Sequence, residues 1–91
     1  MWARIARFDG DPADLDRRID AVRAITNDPP PELEGARYLM LVDRESGGAL
    51  GVTLVETEEA LRRGDAALNQ GSGHGGTPSG VEFYEVPVHN L

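Results

Sequence analysis

The chain predicts an α+β fold in which a four-stranded antiparallel sheet carries two helices on one face. Two observations carry that prediction. Four short blocks, Trp2–Phe8, Arg37–Val42, Ala49–Val55 and Val81–Val88, have the composition and alternation of strands, whereas the segments after Asp11 and Thr57 repeat apolar residues at helical spacing. Clusters of Gly, Pro, Asp and Asn separate them. At 91 residues there is room for one core, so residues 1–91 read as a single domain.

In the first block Trp2, Arg4, Ala6 and Phe8 share one face and Ala3, Ile5 and Arg7 the other, and Asp9-Gly10 ends it. Asp11-Pro12-Ala13-Asp14 then reads as a helix start: Asp11 can cap the first free amides and Pro12 suits the first helical position. Leu15, Ile19, Val22 and Ile25 make an apolar stripe. Arg17, Arg18, Asp20 and Arg23 lie off it, and Asp14 with Arg18 at i,i+4 reads as part of a solvated face. Pro29-Pro30-Pro31 stops the helix, because proline supplies no amide hydrogen.

Arg37–Val42 is apolar on both faces, with Tyr38, Met40 and Val42 on one and Leu39 and Leu41 on the other. Asp43–Gly48 reads as a hairpin loop leading into Ala49–Val55. Thr57-Glu58-Glu59 opens the second helix with a capping hydroxyl and two carboxylates at the positive end of the dipole. Its stripe of Ala60, Leu61, Ala67 and Leu68 is weaker, and Gly64 loosens its middle. Gln70–Gly80 reads as a glycine-rich loop, and Pro87 marks the last block as an edge strand or as ending there. Strand, helix, strand, strand, helix, strand is the ferredoxin-like split arrangement.

Composition excludes several functions. Nine basic against sixteen acidic residues give a net charge of −7, which speaks against nucleic-acid binding. No apolar run approaches the ~20 residues of a membrane span, and Met1–Ile5 is unlike a signal peptide, so a cytoplasmic location is expected. The absence of cysteine removes disulfides and thiolate ligands, and two isolated histidines make a poor metal site; no metal or cofactor is expected.

Two helices can cover only one face of a four-stranded sheet, yet either parity leaves large apolar side chains on the other. Burying five of them is worth roughly 8–15 kcal/mol at about 1.5–3 each, comparable with the stability of a whole small domain. A homodimer through the sheet face is therefore expected.

From Leu41 the chain runs Val42-Asp43-Arg44-Glu45-Ser46-Gly47-Gly48-Ala49-Leu50-Gly51-Val52-Thr53-Leu54-Val55-Glu56-Thr57-Glu58-Glu59-Ala60-Leu61, and it closes on Val81-Glu82-Phe83-Tyr84-Glu85-Val86. These segments resemble the dimeric α/β-barrel superfamily and, within it, small proteins of the antibiotic-biosynthesis-monooxygenase type. The resemblance spans nearly the whole chain. It implies a paired fold, and it departs from the family's usual catalytic set of a first-strand Asn, a Trp closing the third strand and a His on the second helix. Here the first strand offers Arg4 and Arg7, Val55 takes the Trp position, and no His lies between Glu56 and Gln70.

The residues that could carry chemistry are His74, titratable within the glycine run, and Arg4, a charge on a central strand. Glu82 and Glu85 are the partners expected for Arg4. Tyr38, Trp2, Val55 and Tyr84 are candidates to line a ligand pocket, with packing as the alternative role for the aromatics. The leading expectation is a homodimer that binds a small apolar molecule between helices and sheet. A cofactor-independent monooxygenase acting on an aromatic or polyketide-like compound is the alternative, and a non-catalytic interaction module the second.

Overall fold

The computed structural model describes residues 1–70 and 78–91. Its elements run β1 (Trp2–Phe8), α1 (Leu15–Asn27), β2 (Arg37–Val42), β3 (Ala49–Val55), α2 (Glu58–Gln70) and β4 (Gly80–Glu85). The strands form one antiparallel sheet ordered β2-β3-β1-β4, which is the ferredoxin-like βαββαβ topology expected. No described helix is long and apolar enough to cross a membrane.

Strand and helix limits follow local chemistry closely, with three corrections. Asp11 does cap, its carboxylate accepting from Ala13 N at 2.9 Å, but the turn it caps is a short 3-10 segment, Pro12–Asp14, and α1 proper begins at Leu15. A second 3-10 turn, Pro31–Leu33, begins at the last of the prolines and buries Leu33. β4 stops at Glu85, before Pro87 would have to supply a ladder donor. It is also an edge strand, so both readings of Pro87 hold. Thr57 caps α2 as expected, its hydroxyl accepting from Ala60 N at 3.0 Å. The Asp43–Gly48 turn closes through Gly47 N to Asp43 O at 2.8 Å, while the Asp43 carboxylate accepts from Glu45 N and Ser46 N. Those two amide donors hold the Asp43 carboxyl below its usual range.

The register sorts every strand side chain onto one of two faces, because directly paired residues point the same way. Across the sheet, Tyr38, Thr53, Arg4 and Phe83 form one row of the first face. Met40, Gly51, Ala6 and Val81 form the next. On the second face the rows are Arg37, Leu54, Ala3 and Tyr84, then Leu39, Val52, Ile5 and Glu82, then Leu41, Leu50, Arg7 and Gly80. Arg4 reaches Asp65 of α2, so the first face is the one beneath the helices.

The solvated α1 face contains one exception. Arg18 is buried, and its Nη1 donates to the Gly47 carbonyl at 2.6 Å, tying α1 to the β2–β3 turn. Asp14 instead meets Arg17 at 3.5 Å. Gly10 leaves room for the Arg18 guanidinium, since a Cβ there would sit 2.5 Å from Nη1. Gly47 has φ +85° and lies against Gly10 and Pro12, where a side chain could not fit. The loop before α1 and the β2–β3 turn thus converge on one arginine.

Candidate functional site

Two places on the helix side combine burial with chemistry. The first is the middle of the sheet. Arg4, on a central strand and 6% exposed, projects toward α2, where its Nε donates to Asp65 Oδ1 at 2.7 Å. A guanidinium cannot shed its proton, so a buried arginine must be paired. Glu82 cannot serve, because it pairs across the strands with Ile5 and points to the opposite face. Glu85 shares the face of Arg4 but stands opposite Trp2, exposed at the end of β4. The expected partners are therefore both replaced by Asp65. A signal for it exists in the sequence: Asp65 falls between Leu61 and Leu68 at i+4 and i+7, an acid set inside the apolar stripe of α2.

The second place is a groove of about 290 Å³ at the end of the same layer, between the Pro31–Leu33 turn, the end of β3 and the start of α2. Leu33, Ala36, Val55 and Ala60 supply its apolar side, and Glu32, Glu34, Glu56 and Arg63 its polar side. The construction is local. Leu33 is almost fully buried because α2 has no side chain at Gly64, where a Cβ would lie 2.5 Å from Leu33 Cδ2. Gly64 is thus a seat for Leu33 rather than a loose point in the helix. Ala36 N closes the turn onto Leu33 O at 3.0 Å. None of Glu32, Glu34, Glu56 and Arg63 forms an ion pair with the described residues.

The remaining candidates divide between the faces. Tyr38 lies under the helices, half-buried, its hydroxyl reaching Leu33 O at 3.4 Å; desolvation raises its pKa above the ordinary value of 10.0. Val55 and Trp2 pair on that same face. Tyr84 does not join them. It stands on the opposite face, 47% exposed, and its hydroxyl donates to Glu82, which also accepts from Arg7 Nε at 3.1 Å. A single pocket lined by Tyr38, Trp2, Val55 and Tyr84 is therefore ruled out by strand parity. His74 lies outside the described residues, and His89 is exposed after β4. Among the described residues no group of three or more His, Asp or Glu side chains could hold a metal ion.

The opposite face is open toward the β2–β3 turn, while Ala3 and Leu54 at its other end are buried. Leu39 and Leu41 are about half exposed, at 48% and 52%, beside half-buried Ile5, Leu50 and Val52. A groove of about 370 Å³ at the turn end of the sheet, lined by Arg7, Leu41, Asp43, Leu50 and Ser79 among others, opens at its edge.

No protein-family model matches this chain, and no curated protein does. Among solved structures it is similar to the crystal structure of SCO4226 from Streptomyces coelicolor A3(2), with 19% identity over 97% of this chain and 99% of that one. The TM-score is 0.45. What the residues themselves define is a small α+β fold with a four-stranded antiparallel sheet and two helices.

Proposed function

We propose that the protein is a homodimeric module of the dimeric α/β-barrel kind, similar to the antibiotic-biosynthesis-monooxygenase type, that holds a small apolar molecule between helices and sheet. One observation carries the pairing: the sheet face away from the helices presents Leu39, Leu41 and Tyr84 to water around half-buried Ile5, Leu50 and Val52. Contiguous apolar surface of this sort marks an interface, and a second copy packed face to face covers it with one symmetric contact. The groove at Val55 supports the ligand part of the reading: it is concave, and Leu33, Ala36, Val55 and Ala60 give it an apolar side opposite four charged residues.

The enzyme reading has less behind it. Arg4 is held by Asp65 and buried beneath α2, which describes a group that positions the helix rather than one presented to a substrate. Sedimentation equilibrium at micromolar protein tests the pairing: a mass of two chains is expected, and a stable single-chain mass overturns it.

A further inference from the structure

We propose that the groove between Leu33 and Val55 takes an apolar molecule bearing a protonated amine. The inference rests on the ligand reading above and adds the charge. The floor of Leu33, Ala36, Val55 and Ala60 supplies contact for a hydrocarbon body. At the rim stand Glu32, Glu34 and Glu56, with Arg63 the single cation.

The competing effects can be weighed. Three carboxylates against one guanidinium leave two negative charges at the rim. The start of α2 faces the groove through Ala60 and contributes about half a positive charge, so negative potential still wins. The acids have no ion-pair partner among the described residues, so an incoming ammonium need not break an existing bridge. A carboxylate-bearing ligand of the same shape meets repulsion instead. Because the rim is open to water, the discrimination is modest: about three- to tenfold for amine over a neutral isostere, the scale of one or two exposed ion pairs.

Methyl chemical shifts of Leu33, Ala36, Val55 and Ala60 during titrations at neutral pH with n-octylamine, n-octanol and n-octanoate provide the test. The methyls of all four residues are expected to move with octylamine, less tightly with octanol and least with octanoate. The Glu34→Gln, Glu56→Gln double variant should lose the preference for the amine and keep its octanol affinity, which also reports that it is folded. Equal affinity for amine and alcohol overturns the charge inference and leaves the apolar site standing. No shift with any of the three removes the ligand reading itself. Ethylamine is the control for general attraction to a chain of net charge −7: if it moves the same methyls as strongly as octylamine, the groove contributes nothing and the proposal falls.

Discussion

The two faces of the sheet invert the usual expectation about which residues water avoids. Beneath the helices lies an arginine with its acid, a threonine and a tyrosine; facing solvent are leucines. Arg4 is 6% exposed and Thr53 6%, whereas Leu39 is 48% exposed and Leu41 52%. Strand parity assigns each side chain to the helix side or the other side, and burial then follows how far the cover reaches: Phe83, on the helix side of the edge strand, is 49% exposed, while Ala3 and Leu54 on the other face are 4% and 7% exposed. The polar side chains tolerate cover because Asp65 descends from α2 to meet Arg4. The apolar ones have no such remedy within one chain, and on our reading a second copy supplies it.

The largest effect should come from attacking the open face. In a symmetric pair, Leu39→Asp with Leu41→Asp removes four leucines from the contact, each about half exposed in one chain, so roughly 3–6 kcal/mol is lost, half of what full burial of four would give, and like charges are set facing one another. Sedimentation should show a single chain even at high micromolar concentration, with the far-ultraviolet circular dichroism of the fold retained. If the pair persists, some other surface joins the copies and the contrast between the faces loses its meaning.

On the covered face the decisive change is Asp65→Ala. It leaves a buried guanidinium without its acid, a defect costing about 3–5 kcal/mol when both partners are fully buried. Asp65 is 25% exposed at its side chain, so water recovers part of that, and about 2–3 kcal/mol is expected as a lowered urea midpoint. Replacing both partners, Arg4→Met with Asp65→Leu, should return most of the loss, since an apolar pair of similar volume needs no charge compensation. A double variant as unstable as Asp65→Ala would mean that the ion pair does more than neutralise itself.

Sequence and structure agree where local chemistry is sufficient. The limits of β1, β2 and β3 fall where alternation and turn residues put them, and Thr57 caps α2 as its hydroxyl suggests. Disagreement begins where a side chain's role depends on a distant segment. Arg18 looks like one more charge on a solvated helix face until Gly10 leaves space for its guanidinium and the Gly47 carbonyl, from a different loop, accepts its hydrogen bond. The neighbouring strand suggests Glu82 as the partner of Arg4, but parity sends Glu82 to the other face and the acid comes from α2 as Asp65. The groove at Val55 depends on a 3-10 turn that begins at the last of three prolines, which helical or strand periodicity does not reveal.

A smaller effect separates local propensity from packing. Gly64→Ala should gain about 0.5–1 kcal/mol of helix propensity, yet its Cβ would press on Leu33, which is 1% exposed and has little room to yield. Overpacking a core position costs about 1–3 kcal/mol, so a net loss near 1 kcal/mol is expected by urea denaturation. A gain in stability would show that Leu33 can shift and that the groove floor is soft.

The smallest effect, and the one that sharpens the contrast most, concerns the only hydrogen-bonded charges described on the open face. Glu82 accepts from Tyr84 and from Arg7, and these bonds, the tyrosine's first, lower its carboxyl below the ordinary 4.5. The same contact raises the Tyr84 phenol above 10.0, because Glu82 accepts a hydrogen bond from the protonated phenol and its charge opposes a second negative one. The two shifts act at opposite ends of the pH scale. The Glu82 contribution is complete above about pH 4.5 and is lost as pH falls through its lowered value. The Tyr84 contribution is complete below about pH 10 and is lost as pH rises through its raised value. All three side chains are water-accessible, so each effect is slight in a single chain. If a second copy covers this face, water is withdrawn from the network and both dependences should steepen with protein concentration. Urea titrations of the wild type and Tyr84→Phe, at pH 3–5 and at two concentrations a hundredfold apart, separate the cases. A wild-type acid slope that grows with concentration and shrinks in Tyr84→Phe places Glu82 inside the interface. A slope independent of concentration leaves it at the rim, with the leucines of β2 and β3 forming the contact without it.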